Sequence, residues 1–221
     1  MVSPKKIGEF REKLSKTAQT SHYQVFFDGL SRDLFGYLAS KGVDRRFIIE
    51  NAGLLCNSAS IPGSTLGTSD IFGNFTGVQE KFAHTRIFTE LVLTFYVDSD
   101  YKMIKFLEHW IEYISSGSEI SKNSFFSKSS PAYFYRMRYP RGASGYKCDR
   151  VKIIKFERDY DRELEYTFIG MFPNSLSSTP VQYGRSDTLQ VNCTFNYERY
   201  VAGKDNSLNV QRGDNENFKL F

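Results

Sequence analysis

Residues 88–114 read FTELVLTFYVDSDYKMIKFLEHWIEYI, and the hydrophobic period changes halfway along. Up to Val97 the period is two: Leu91, Leu93, Phe95 and Val97 alternate with Glu90, Val92, Thr94 and Tyr96. That is a strand, and its partly apolar second row predicts cover on both sides. From Asp100 to Ile114 the period becomes helical, with Met103, Ile104, Leu107, Trp110, Ile111 and Ile114 on one broad apolar face. Either Asp98 or Ser99 can cap this helix, Asp100 suits its positive end, and Ser115-Ser116-Gly117 stops it. A strand feeding a long amphipathic helix predicts a helix docked on a sheet, seated through Leu107, Trp110 and Ile111.

Towards the C-terminus, Gly117 to Pro131 is rich in Ser and Lys and reads as a mobile loop. Strand patterns follow at Ala132–Arg138, Arg150–Glu157, Glu163–Met171 and Thr188–Tyr197. Asp159-Tyr160-Asp161-Arg162 most simply joins two of them as a hairpin. The last strand alternates cleanly, Leu189, Val191, Cys193, Phe195 and Tyr197 against Gln190, Asn192, Thr194 and Asn196. After Val201 the chain turns to Gly, Asn, Asp and Lys, which predicts a flexible tail over 202–221.

Towards the N-terminus, Val78–Arg86 is a further strand, preceded by Gly63 to Gly77, where Gly63, Gly67, Gly73 and Gly77 among Ser and Thr predict a loop. Leu54–Ser60 reads as a strand, and Asp44–Glu50 fits a helical turn or a strand. Ser31–Lys41 reads as a helix with Ser31 as cap, a Leu34, Tyr37, Leu38 stripe and Gly42 as stop. His22–Phe27 is a strand ending at Asp28-Gly29. Pro4–Thr17 is a short helix carrying Ile7, Phe10 and Leu14 on one face. The sum is a mainly β (α+β) fold with one long helix and small helices near the N-terminus.

Composition agrees with that reading. The chain has 20 Phe and 14 Tyr against one Trp, a bias that suits pleated sheets and large contacts. A net charge of +4, from 29 basic and 25 acidic residues, is too mild to predict nucleic-acid binding. Cys56, Cys148 and Cys193 are odd in number and far apart, so they read as reduced thiols of a protein made in the cytoplasm. Met1 to Thr20 lacks the apolar core of a secretory signal, and no segment approaches the roughly 20 apolar residues of a membrane span.

Catalytic and metal motifs fail on inspection. Glu157, Asp159, Asp161, Glu163 and Glu165 suggest a calcium loop, but counting from Asp159 the turn position is Leu164 and the closing position Gly170. His22, His84 and His109 are isolated; His109 and Glu112 could share an ion, yet two ligands on an exposed helix face are weak evidence. Gly63-Ser64-Thr65-Leu66-Gly67 lacks the Gly-Lys-Ser/Thr ending of a phosphate loop. Neither a catalytic site, a metal nor a cofactor is expected.

The order of motifs resembles the tube-protein family of T4-type contractile bacteriophage tails. Phe10-Arg11-Glu12-Lys13-Leu14 is similar to its N-terminal helix, and Cys56 to Gly67 to its cysteine strand leading into a Pro-Gly loop. Leu91 to Tyr101 resembles its strand-to-helix junction, Phe168-Ile169-Gly170-Met171-Phe172-Pro173 a strand end, and Ser186 to Tyr197 the closing strand. The resemblance spans residues 7 to 201, taken as one domain with an inserted helical segment at about 30–53. That insertion, the tail, and the weak match at Lys81 to Phe88 favour a baseplate tube-initiating or tube-end ring over the repeated shaft subunit.

The resemblance implies a tail-tube fold, a β-sandwich or barrel with a flanking helix, in a homohexameric ring that conducts the genome during ejection. Partners would be itself, adjacent tube or baseplate rings, and sheath and tape-measure proteins; DNA would be transient cargo, and no membrane is involved. Gln190, Asn192, Thr194 and Asn196 would face the lumen, or are simply solvent-exposed, and Gly63, Gly67, Gly73 and Gly77 would lie in an inter-ring loop. The competing classes are the tube of a related injection or secretion apparatus and a monomeric β-rich binding protein.

Overall fold

A computed structural model describes residues 17–71, 79–116, 136–158, 163–184 and 187–203, with positions 7 and 77. The expected N-terminal helix, the Ser-rich loop 117–131, the turn 159–162 and the tail beyond 203 therefore fall wholly or largely outside the described residues.

The chain forms β1 (Tyr23–Asp28), α1 (Arg32–Ser40), a π-helical turn (Phe47–Asn51), β2 (Cys56–Ala59), β3 (Ser64–Ile71), β4 (Glu80–Phe88), β5 (Leu91–Tyr96) and α2 (Lys102–Ile114). There follow β6 (Ser115–Ser116), β7 (Arg136–Met137), β8 (Arg150–Phe156), β9 (Glu163–Ile169), β10 (Phe172–Leu176), β11 (Gln190–Asn196) and β12 (Arg199–Ala202). Two antiparallel four-stranded sheets result, β1-β8-β9-β12 and β10-β11-β5-β2, while β3-β4 and β6-β7 pair separately.

The two main sheets pack face to face. Alternation sends Val25 and Phe27 from β1, Val151 and Ile153 from β8, and Phe168 from β9 into a core met by Leu91, Leu93, Phe95, Val191, Cys193 and Phe195 from the other sheet. Phe27 touches Phe95 and Phe195 at ring-centroid distances of 6.1 and 6.2 Å and the α2 residue Phe106 at 5.4 Å. The helix closes one side of this sandwich.

α1 starts where its sequence suggests, whereas α2 starts two residues beyond the expected Asp100, with Tyr101 and not Asp98 or Ser99 at its cap position. Ser31 Oγ accepts the amide of Leu34 and caps α1, whose Leu34 and Leu38 are fully buried. At α2, Tyr101 takes a left-handed conformation (φ 57°), and Asp98 Oδ1 accepts the amide of Met103. The helix begins at Lys102, and its buried face is Met103, Phe106, Leu107, Trp110 and Tyr113. Of the expected seat, Leu107 and Trp110 have no exposed surface, while Ile111 is only half-buried at the margin. Tyr113 explains the rotation: its ring stacks on Tyr37 of α1, and its hydroxyl donates to Ser144 O at 2.9 Å.

Residues 30–52 supply Leu30, Leu34, Leu38, Val43, Phe47, Ile48 and Ala52 to the common core. Their return to the sheet requires Gly53, where a Cβ would lie 1.6 Å from Val25 O. No side chain fits there.

Two further sequence expectations need correction. Gly63 to Gly77 is not a loop at its start: Ser64–Ile71 is a strand paired along its length with β4. A cross-strand ladder overrides the low strand preference of Gly, Ser and Asp. The boundary between the next strands falls at Thr89-Glu90, beyond Phe88. Strands β5 and β11 themselves have no unpaired edge. Each pairs on both sides, and the edges of that sheet are β10 and β2, partners that local pattern does not reveal.

Trp110→Ala removes a buried ring and leaves Tyr146 O without the indole donor it now accepts at 3.0 Å. Chemical denaturation should show a loss of about 3–5 kcal/mol, against about 1 kcal/mol for Ile111→Ala. Gly53→Ala should cost more than about 3 kcal/mol by the same measurement, since backbone must move to admit the methyl.

Cys148 and Cys193 are buried, Cys56 is half-buried, and burial pushes each thiol up to about 12. Thiol titration without reductant should count three groups in denaturant. In the native protein at mildly alkaline pH, Cys148 and Cys193 should stay silent.

Candidate functional site

Among the described residues no group of three or more His, Cys, Asp or Glu could hold a metal ion. His109 Nδ1 lies 2.7 Å from Glu112 Oε2 on α2, a pair that steadies the helix surface beside Tyr37. No described helix is long and apolar enough to cross a membrane. The surfaces that distinguish this chain lie on its sheets.

The outward face of the β10-β11-β5-β2 sheet is the first. Register places Gln190 opposite Tyr96, Asn192 opposite Thr94, and Thr194 opposite Val92. Ser175 lies beside Thr194 on one flank, and Ser58 beside Thr94 on the other. With Asn196 these residues line one side of the sheet, and none carries a carboxylate, ammonium or guanidinium group. Alternate residues Val191, Cys193 and Phe195 point the other way into the core, which fixes the row outward. In a chain with 24% charged residues, an open face of this extent without one is a compositional anomaly.

The outer face of the other sheet behaves differently. Lys152 Nζ meets Glu165 Oε1 at 3.0 Å, and Thr167 Oγ1 donates to the same oxygen. Burial of Glu165 is compensated by this cation and by the Thr167 hydroxyl.

The β3–β4 hairpin is the second surface. At its base Thr89 N donates to Gly63 O, and Gly63 N donates back to Thr89 Oγ1. Arg86 Nη2 donates to Ser64 Oγ and to the Tyr200 hydroxyl of β12, with its guanidinium 5.0 Å from the Phe88 ring centre and 5.2 Å from that of Tyr200. Gly67 sits mid-strand at a bulge, Gly77 lies beyond Ile71, and Gly73 is outside the described residues.

Opposed residues share a face, so one side of the hairpin carries Ile71, Phe82 and Ile87, and these are 53%, 51% and 56% exposed. Only Glu80 on that side is charged. This apolar stripe escaped the sequence reading because Ile71 fell in a stretch read as a loop, and only the β3–β4 register brings it to the same side as Phe82 and Ile87.

Comparison with known proteins matches both the motifs and the architecture. The sequence pattern of the phage tail tube protein family matches residues 18–203. Among curated proteins none matches the sequence. Three cryo-EM structures share the fold at low identity. A chain of the PVC sheath–tube complex in the extended state, from an extracellular contractile injection system, superposes with a TM-score of 0.52 at 12% identity, over 90% of this chain and 99% of its own. A chain of the PVC sheath/tube terminator in the extended state gives 0.51 at 14%, over 85% and 97%. The anti-feeding prophage tube-terminating cap gives 0.52 at 13%, over 85% and 91%. The fold is a tail-tube fold, and the chain belongs to the phage tail tube protein family as a structural subunit of tube type.

Proposed function

We propose that the chain forms a homohexameric ring in the tube of a contractile phage tail, at the baseplate end where the tube starts or at its terminus, and that the ring is a conduit for genome ejection. The observation that carries this reading is the uncharged outward face of the β10-β11-β5-β2 sheet. A channel wall has to be wet without being adhesive. Cations there would take up phosphates and release counterions, holding DNA in place. Gln190, Asn192, Thr194 and Asn196 offer hydrogen-bonding groups that water satisfies, and no fixed charge to bind or repel a polyanion.

Open sheet edges support the same reading. Among the described residues, β1 and β12 bound one sheet and β10 and β2 the other, so each subunit offers unpaired backbone to neighbours. Ring closure removes such edges. Residues 30–53 and the segment from Ala202 would make contacts specific to one ring layer, and sheath, tape-measure and adjacent rings would be the other partners. The protein is then a component of a virion or of a phage-like particle, assembled in the host cytoplasm.

Light scattering should find a monomer or small oligomer for the protein alone. Electron microscopy should find six-fold rings once isolated baseplates or a partner ring are supplied. A protein that stays monomeric beside intact baseplates would end the ring reading. Tails carrying Asn192→Lys should assemble yet eject DNA more slowly, with the rate recovering as salt is raised. Ejection at the parental rate at every salt concentration would remove β11 from the channel wall.

A further inference from the structure

We propose that the segment joining β7 to β8, residues 137–150, docks an acidic segment of a different protein of the same particle. The proposal rests on the ring-subunit reading for its setting, and it names the surface and the chemistry that hold one non-identical partner.

The net charge of the chain is concentrated here. Residues 136–150, RMRYPRGASGYKCDR, hold five basic residues and one acidic residue, a balance of +4 that equals the net charge of the whole chain. The rest of the chain is therefore neutral in sum. Two of these cations are already matched: Asp149 and Glu198 take Arg141 at 3.3 and 2.6 Å, and Glu198 takes Lys147 at 2.8 Å. Among the described residues no carboxylate pairs with Arg138 or Arg150. Arg138 instead lies with its guanidinium 4.1 Å from the centre of the Tyr113 ring, and Arg150 is exposed. A partner carrying carboxylates would complete both.

The segment is also fixed before any partner arrives. Trp110 Nε1 and the Tyr113 hydroxyl of α2 donate to Tyr146 O and Ser144 O at 3.0 and 2.9 Å, and Ser144 Oγ bonds Asp33 of α1. Lys147 N donates to Pro140 O at 3.1 Å, which draws the two limbs together, and Arg138 N donates to Ile114 O at the end of α2. A loop held at so many points loses little conformational freedom on binding. Yet it leaves Met137 and Tyr139, on either side of Arg138, 74% and 87% exposed. Tyr, Met and Arg are the side chains that protein interfaces concentrate, and a large ring held in water on a rigid frame gains most from being covered. Asp149 and Glu198 stand among the cations and would repel the closely spaced phosphates of a nucleic acid. A peptide can place its carboxylates singly, beside Arg138 and Arg150 and away from these two.

Photocross-linking of the full-length protein in assembled tails tests this. Tyr139→benzoylphenylalanine should, on irradiation, join the chain to a different protein of the particle, at a peptide in which Asp and Glu outnumber Lys and Arg. Raising the salt before irradiation should lower the yield. Met137→benzoylphenylalanine serves as a second position should the first perturb folding. The double variant Tyr139→Ala/Arg150→Ala should keep the parental melting temperature, since both side chains are exposed, while its incorporation into tails falls about tenfold. Parental incorporation of that variant would overturn the proposal, as would a cross-link to another copy of this chain, to a peptide of neutral or basic balance, or to DNA. So would the absence of a cross-link from both positions while microscopy shows intact rings, an outcome that leaves the ring reading standing. Tails that assemble without the protein would remove both.

Discussion

The ring of Phe27, on one sheet, meets both the opposite sheet and the long helix. Its edge-on contact with Phe106 and its tilted contacts with Phe95 and Phe195 make an aromatic junction at the centre of the sandwich. Aromatic pairs of this kind contribute about 0.5–1.5 kcal/mol each beyond the area they bury. Their larger effect here is geometric. With Phe27 on β1 holding α2 against β5 and β11, the inner faces of both sheets are fully used, and only outer faces and edges remain for contact with other molecules. A subunit whose work is assembly needs that division.

A second constraint sits where the chain changes sheets. It leaves one sheet after β9, enters the other at β10, and later returns from β11 to β12. The two crossings touch: Gly170 lies at φ 68°, and a Cβ there would come within 2.7 Å of Glu198 Cδ. Asp149 Oδ1 accepts the amide of Gly170, and Glu198 accepts from Lys147 at 2.8 Å and Arg141 at 2.6 Å. The Lys147 bond, then that of Arg141, holds the Glu198 carboxyl below its ordinary range. The glycine of the Phe-Ile-Gly motif thus has a local cause, a left-handed corner under a charged clasp.

How much of this could be read in the sequence depends on how local the cause is. The β1, β5, β8, β9 and β11 strands were legible because alternation is written in consecutive residues, as was the capped α1. The row Gln190, Asn192, Thr194, Asn196 was visible for the same reason, though its neighbours Val92, Thr94, Tyr96, Ser58 and Ser175 needed the register. The twist of α2 towards Phe106 and Tyr113 was not legible, because Tyr37 and Ser144, which receive Tyr113, lie far off in sequence. Strand β10 was hidden by Pro173 and Asn174, and β12 by its four-residue length. Strand β3 was hidden by glycines whose strand state is imposed by the opposing strand.

The irregularities of β2 and β10 give the free subunit protection. Both are edge strands, and both carry register shifts, between Cys56 and Ser58 and between Pro173 and Ser175. Pro173 also lacks an amide to donate. Short, bulged or proline-bearing edges resist pairing with whatever chain drifts past. A neighbour held in register by a template can still use the amides and carbonyls that the bulges leave in place. The pairing slow in solution and fast on a preformed ring that the proposed assembly calls for would follow from this one feature. The exposed stripe of the hairpin is different in kind, since hydrophobic contact is non-directional. Its restraint has to come from the base, where Arg86 ties the hairpin to Tyr200 and fixes the direction in which the stripe faces. In this chain, then, hydrogen-bonding edges are guarded by irregular backbone and the apolar arm by orientation.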